Sequence, residues 1–246
     1  MSFRNHFSGA AAAYATFRPH YPDALFDFLA AHAPGRALAW DCGTGSGQAA
    51  LGLARHYKRV LATDASAAQI AHATPHSGVE YRVATAERSG LADRSVDLVT
   101  AAQALHWFDT HAFFDEVRRV LVPGGVLAVW CYDLLEVEPS IDRVVRRFYT
   151  ETVGPFWPAE RRLVETGYRT IAFPFPELPV PAFTMEHAMT LSQLGGYVRT
   201  WSATMRYVEA RGHDPVDALL EELAPYWGDA RLTRWPLAVR AGRQAV

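Results

Sequence analysis

The chain has 246 residues, half of them apolar, and a formal net charge of −2. Such a length suits one large domain, or a domain with a cap, around a substantial core. The near-neutral charge supplies no global basic field, which argues against nucleic acid as a partner. No apolar run is long enough to span a membrane, and Met1-Ser2-Phe3-Arg4-Asn5-His6 lacks a signal-peptide core, so a cytoplasmic protein without a membrane partner is expected. Cys42 and Cys131 read as reduced thiols in or beside buried strands, and no metal-ligand spacing is present, so no metal is expected.

Near the start, Tyr14, Arg18 and Tyr21 recur at roughly helical spacing until Pro19 and Pro22 break the pattern. Two readings stand: an arm packed on the body, or a lid closing over a bound ligand. Asp23 to His32 carries an apolar stripe and predicts a helix, ended by Pro34-Gly35. A strand over 37–41 then runs into Asp41-Cys42-Gly43-Thr44-Gly45-Ser46-Gly47, followed by a helix over 48–56. Glycines at 43, 45 and 47 let the backbone turn sharply and let a ligand approach it closely.

The spacing here is G-x-G-x-G with an acid at its entry, whereas dinucleotide sites favour G-x-G-x-x-G. Asp41 would repel a pyrophosphate and suits a cationic ligand. A second strand, 60–64, ends in Asp64, 17 residues past Gly47. An acid at that place fits a ribose diol. Together the two acids imply a nucleoside bearing positive charge, which describes S-adenosylmethionine.

The remaining core elements follow in order. A short helix is expected over 67–73, strands over 79–83, 95–101 and 126–131, a helix over 108–121, and a turn at Pro123-Gly124-Gly125. Strands alternating with helices at this period imply a doubly wound, Rossmann-like, mostly parallel sheet with helices on both faces. Ligands of such sheets lie beyond the carboxyl ends of the strands. Ala86 and Glu87 follow the third strand; Gln103, His106 and Trp107 follow the fourth. His106 is a candidate base or a structural histidine, Trp107 a pocket wall, and Asp109 a helix N-cap.

Past residue 139 the pattern is helical: 141–152, 158–166, a long stretch over 191–211, and a helix from Asp214-Pro215 to about Tyr226. Phe173 to Pro181 reads as an extended loop and 183–189 as an edge strand. Residues 234–240 form a last strand, which Pro236 assigns to an edge or bulge.

Asp41-x-Gly43-x-Gly45-x-Gly47, Asp64, Ala86-Glu87 and Leu121-x-Pro123-Gly124-Gly125 resemble the successive motifs of class I S-adenosylmethionine-dependent methyltransferases, over roughly residues 35–131. Phe17-Arg18-Pro19-x-Tyr21-Pro22, the run from Gln103 to Phe108, and Tyr197-x-x-x-Trp201-Ser202 are similar to a narrower small-molecule branch, the type 11 and trans-aconitate methyltransferase-like enzymes. One departure is Thr85, where that family carries an acid before Ala86-Glu87.

The resemblance implies a seven-stranded sheet, a C-terminal helical cap and one methyltransferase domain over 1–246. Its parts would be an N-terminal lid and helix (1–34), a cofactor-binding core (35–133), substrate-cap insertions (139–231) and a final strand (232–241). It implies S-adenosyl-L-methionine as cofactor, with Gly43, Thr44, Gly45 and Gly47 under the methionine part and Asp41 facing its amino group. Asp64 would hold the ribose, Ala86 and Glu87 border the adenine, and Gln103 stand near the sulfur. Tyr14, Arg18 and Tyr21 would form the lid.

A carboxylate acceptor needs no base; another acceptor would draw on His106 or His111. Trp107, Trp157, Tyr197, Trp201 and Tyr207 are candidates to enclose a small-molecule acceptor, in a monomer or homodimer. The rivals are an NAD(P)-dependent oxidoreductase on the same kind of sheet, and a non-catalytic nucleoside-binding sensor.

Overall fold

The computed structural model of the chain describes residues 19–245. Helix α1 (Asp23–His32) precedes strand β1 (Leu38–Cys42), α2 (Gln48–Leu53), β2 (Arg59–Asp64), α3 (Ala67–Ala71), β3 (Val79–Val83) and β4 (Val96–Ala102). A 3₁₀ turn (Leu105–Trp107), α4 (Thr110–Val120) and β5 (Leu121–Tyr132) complete the first half. The second half holds α5 (Pro139–Arg147), a π turn (Phe148–Thr152), a 3₁₀ turn (Gly154–Phe156) and α6 (Arg161–Glu165). It closes with β6 (Phe183–Met189), α7 (Leu191–Arg199), α8 (Ser202–Arg211), α9 (Val216–Trp227) and β7 (Arg231–Arg243).

These strands form one seven-stranded sheet in the order β3-β2-β1-β4-β5-β7-β6. β1 to β5 pair in parallel, while β7 runs antiparallel to both β5 and β6. The strand order reverses beside β1, where β1 and β4 separate β2 from β5. That reversal opens a crevice at the carboxyl ends of the central strands.

Side chains along β5 divide the core by strict alternation. Val126, Ala128, Trp130 and Tyr132 face one layer, with α1, α2 and the cap helices α5, α7 and α9. Leu127, Val129 and Cys131 face the other layer, with α4 and α6. Trp130 and Trp40 are fully buried on opposite faces; burying one such side chain stabilises by roughly 1.5–3 kcal/mol.

Several boundaries differ from the sequence-based expectation, each for a local reason. Pro123-Gly124-Gly125 is no separating turn: β5 begins at Leu121, and its register against β4 slips between Val96↔Leu121 and Leu98↔Val126. The glycines are therefore absorbed as a bulge. The long helix expected over 191–211 is two helices, because Trp201 takes an extended conformation (φ −68°, ψ 134°). There the Thr200 hydroxyl donates to the Tyr197 carbonyl at 2.6 Å, competing with helix continuation.

Pro236 lies inside the sheet and not on an edge, since β7 has β5 on one side and β6 on the other. Arg234 exchanges backbone bonds with Glu136. Two residues on, the Pro236 nitrogen faces the same side, where β5 has already ended at Tyr132. The missing N–H therefore costs no ladder bond.

Candidate functional site

The glycine-rich turn after β1 is held from both sides by carboxylates. Asp41 is fully buried. Its Oδ2 accepts the Thr44 hydroxyl at 2.6 Å, and its Oδ1 accepts the Thr100 hydroxyl of β4 at 2.7 Å. Burial pushes the Asp41 carboxyl up to about 6, against the opposing pull of those two hydroxyls. Asp64, at the end of β2, accepts the Gly45 N–H at 2.9 Å and the Ser66 N–H at 2.8 Å. Burial raises the Asp64 carboxyl too, and the two backbone donors offset part of that rise.

Gly43 and Gly45 play different parts in this turn. Gly43 has φ +66°, and a Cβ there would sit 2.6 Å from the Ala104 Cβ. Backbone conformation and space both require glycine. Gly45 has φ +56°, yet a Cβ there would meet nothing nearer than the Gln69 Oε1 at 4.0 Å. That Gln69 oxygen is buried without a hydrogen-bond partner. An open backbone flank thus lies beside an unused acceptor and the Asp64 carboxylate.

After β3, Ala86 is buried in the core layer shared with β4 and β5. Glu87 accepts the Asp109 N–H at 3.1 Å, tying the loop to the start of α4. Asp109 caps that helix, accepting the Ala112 N–H at 3.2 Å. After β4, Gln103 adopts φ +53°. Its amide donates to the Tyr132 carbonyl at 3.1 Å and accepts the Tyr132 N–H at 2.9 Å. It therefore bonds the end of β5 as one more strand residue would. A left-handed conformation costs a non-glycine residue roughly 1–2 kcal/mol and marks an over-determined position.

Of the expected lid, Tyr14 and Arg18 lie outside the described residues. Tyr21 is buried, edge-on to Trp130 with ring centroids 5.3 Å apart.

Beyond the carboxyl ends of β4 and β5 lies a cavity that opens to solvent. His106, Trp107, Trp157, Tyr197 and Trp201 all line it, and so does Gln103. Three stretches far apart in sequence therefore meet at one place. Trp201 packs 5.8 Å from Trp157 and 5.9 Å from Tyr197. Tyr197 is held in turn by the buried Trp235 Nε1, which donates to its hydroxyl at 3.0 Å. Tyr207, expected beside them, lines a separate cavity instead, its hydroxyl 3.0 Å from the His213 Nε2. His111 is exposed on α4, 3.4 Å from Asp115.

His106 Nδ1 is 2.8 Å from the hydroxyl of Tyr168, which is fully buried with φ +59°. Burial raises that phenol well above its usual range, so it keeps its proton. One hydrogen bond joins the two side chains, and its direction follows the tautomer of the imidazole. Burial, and secondarily the Arg161 charge, lower the imidazole to about 3. A ring so weakly basic stays neutral and makes a poor base near neutrality.

Sequence reasoning missed Arg161 and Asp133, which also line the cavity. Arg161 Nε donates to the Tyr149 hydroxyl at 2.8 Å, and its Nη2 pairs with Asp133. Its guanidinium lies 4.8 Å from the centre of the Trp157 ring. A signal for Asp133 existed: it directly follows β5, at the carboxyl end of a strand, where ligands of such sheets gather. Arg161 gave none, since nothing local distinguishes it from Arg162.

Comparison with known proteins agrees with this geometry. A family model described as a methyltransferase domain matches residues 40–129. A Dictyostelium discoideum protein carrying the name of a methyltransferase is 33% identical over 238 residues, covering 94% of this chain and 90% of its own. The methyltransferase cfoB of Aspergillus candidus is 26% identical and covers 90% of this chain and 78% of its own. A solved structure named as a type II methyltransferase, from Anaeromyxobacter dehalogenans, is 46% identical with a TM-score of 0.88, covering 94% of this chain and 100% of that one. The turn between two acids, the strand order and these relatives lead to one assignment: the chain belongs to the class I S-adenosylmethionine-dependent methyltransferases.

Proposed function

We propose that the enzyme transfers a methyl group to a small molecule held in the aromatic cavity, and that the accepting atom is a carboxylate oxygen. The observation carrying this reading is His106, whose Nδ1 faces the Tyr168 hydroxyl and whose acidity is too great for a base near neutrality. An alcohol or amine would need a base; among the described residues of the cavity His106 is too weak a one and the Asp133 carboxylate is paired with Arg161, whereas a carboxylate acceptor arrives deprotonated.

The described residues fit S-adenosylmethionine: the flank of Gly45 is open, the Gln69 Oε1 beside it is unpartnered, and Asp64 retains acceptor capacity. In this reading Asp64 holds the ribose, Gly43, Thr44, Gly45 and Gly47 underlie the methionine part, and Ala86 and Glu87 border the adenine. Asp41 acts through Thr44 and Thr100, fixing the turn, and Gln103 closes the end of β5 between cofactor and acceptor. When bound, the cofactor supplies an activated methyl: a new bond forms from an acceptor lone pair while the S–C electron pair stays on sulfur. The chain's own work is to align the acceptor and exclude water, for which Trp107, Trp157, Tyr197 and Trp201 suit.

A net charge of −2 supports an enzyme without a nucleic-acid partner. Among the described residues no helix is long and apolar enough to cross a membrane. We take the enzyme to act in the cytoplasm as a monomer or homodimer. Family membership sets the oxidoreductase rival aside; the sensor rival is separated by activity.

Incubation with methyl-labelled cofactor and a metabolite extract, followed by mass spectrometry, should place label on acidic small molecules as base-labile esters. Label on amines or on carbon would overturn the carboxylate reading. Tight binding of S-adenosylhomocysteine with no labelled product would favour the sensor.

A further inference from the structure

We propose that Arg161 is the residue that selects the acceptor, taking a carboxylate of the incoming molecule in exchange for the side chain of Asp133. This rests on the methyltransferase reading above and specifies which feature of the acceptor the cavity reads.

Three observations carry it. First, Arg161 is a nearly buried cation, with side-chain exposure of 14%, in a cavity that Trp157, Tyr197 and Trp201 also line. A buried guanidinium is expensive unless it is paired. Second, its pairing is incomplete: Nε donates to Tyr149 and Nη2 pairs with Asp133, while Nη1 has no hydrogen-bond partner among the described residues. A guanidinium presents five N–H donors in a fixed fork and matches a carboxylate best in two parallel bonds. Third, the two partners differ in freedom. Asp133 is 40% exposed, so it can turn to water at little desolvation cost. Arg161 cannot move as easily. Its guanidinium lies 4.8 Å from the centre of the Trp157 ring and 5.4 Å from that of Tyr149. The Tyr149 hydroxyl is fixed to Glu165 at 2.7 Å.

The ligand-free chain thus keeps an internal carboxylate on the guanidinium, and charge balance is preserved when another carboxylate takes that place. A phosphate monoester would bring up to a second negative charge into a pocket with one cation among the described residues. The favoured acceptor is a monocarboxylate on an apolar or aromatic body, the body lying against Trp157 and Trp201. An uncharged acceptor would leave Asp133 in place and find the polar end of the cavity occupied.

The test uses the full chain saturated with S-adenosylhomocysteine, titrated calorimetrically with benzoate, phenylacetate and hexanoate, their amides, and phenyl phosphate. For the wild type, acids should bind about tenfold or more tightly than their amides. Asp133→Asn removes the internal competitor and should tighten the acids while leaving the amides unchanged. Arg161→Lys, which keeps charge but loses the fork, should weaken the acids about tenfold, and Arg161→Met should abolish the distinction between acid and amide. S-adenosylhomocysteine affinity serves as the folding control and should hold in all three variants.

Amides binding as well as acids, phenyl phosphate outcompeting benzoate, weaker acid binding by Asp133→Asn, or no acid binding to any form would each overturn the proposal. Loss of S-adenosylhomocysteine binding by the wild type would instead overturn the methyltransferase reading beneath it.

Discussion

The glycine turn and the aromatic cavity both stand at the carboxyl end of the sheet, the turn after β1 and the cavity beyond β4 and β5, yet they are stabilised in opposite ways. The turn is held by hydrogen bonds to backbone and hydroxyl groups: Asp41 to Thr44 and Thr100, Asp64 to Gly45 and Ser66. All of these residues lie on or just after β1, β2 and β4. The cavity is held by rings packed on rings, with Arg161 and Asp133 as its polar edge. In the proposed function the turn holds a ligand that never changes, and backbone geometry can fix such a site. In the proposed function the second site must suit one particular acceptor, and it is built largely from side chains of the cap. Both sites carry a buried titratable group shifted by desolvation, and the shifts have opposite consequences in acid.

The comparison breaks most severely at Gly43. Gly43→Ala forces a side chain into the left-handed region and against the Ala104 Cβ. It should cost about 4 kcal/mol in urea unfolding and abolish S-adenosylhomocysteine binding. The same replacement at Gly45, where space is open, should spare most of the stability and still lose the ligand; equal destabilisation at both positions would erase the distinction.

Next comes Asp41. Its carboxyl is raised in the folded chain to about 6, so its contribution to stability is complete below the unfolded value near 3.8 and is lost as pH rises through about 6. The loss approaches about 3 kcal/mol. Compared with Asp41→Asn, the wild type should therefore gain stability as pH falls from 8 to 4.5. A flat difference between the two unfolding curves would mean that the buried carboxyl does not titrate there.

Asp64→Ala tests the open side of the turn. It removes the acceptor of the Gly45 N–H and, in the proposed function, of the ribose, so S-adenosylhomocysteine affinity should drop about a hundredfold. Titration calorimetry with unchanged affinity would remove Asp64 from the site.

The smallest effect belongs to the cavity. His106 is lowered to about 3, so its contribution is complete above the unfolded value near 6.5 and is lost as pH falls toward 3. Relative to His106→Gln, the wild type should lose about 2 kcal/mol between pH 7 and pH 5. This slope is opposite to that of Asp41. The pH profile of methyl transfer should then show no limb between 6 and 7 that disappears in His106→Gln. A limb that did so would restore His106 as a base.

The amino-acid sequence determined the parallel sheet, the glycine turn and its two acids, because these signals are local: periodicity within an element, a φ that only glycine adopts cheaply, an acid at a strand end. It also placed Trp107, Trp157, Tyr197 and Trp201 in one group. Only the tertiary structure decided that Tyr207 lies elsewhere, that Pro236 sits inside the sheet, and that the long helix breaks at Trp201. It alone brought Arg161 to Asp133 and His106 to Tyr168, pairs 28 and 62 residues apart. Contacts at such separations are set by how the cap packs on the sheet, and no pattern of spacing along one element encodes them.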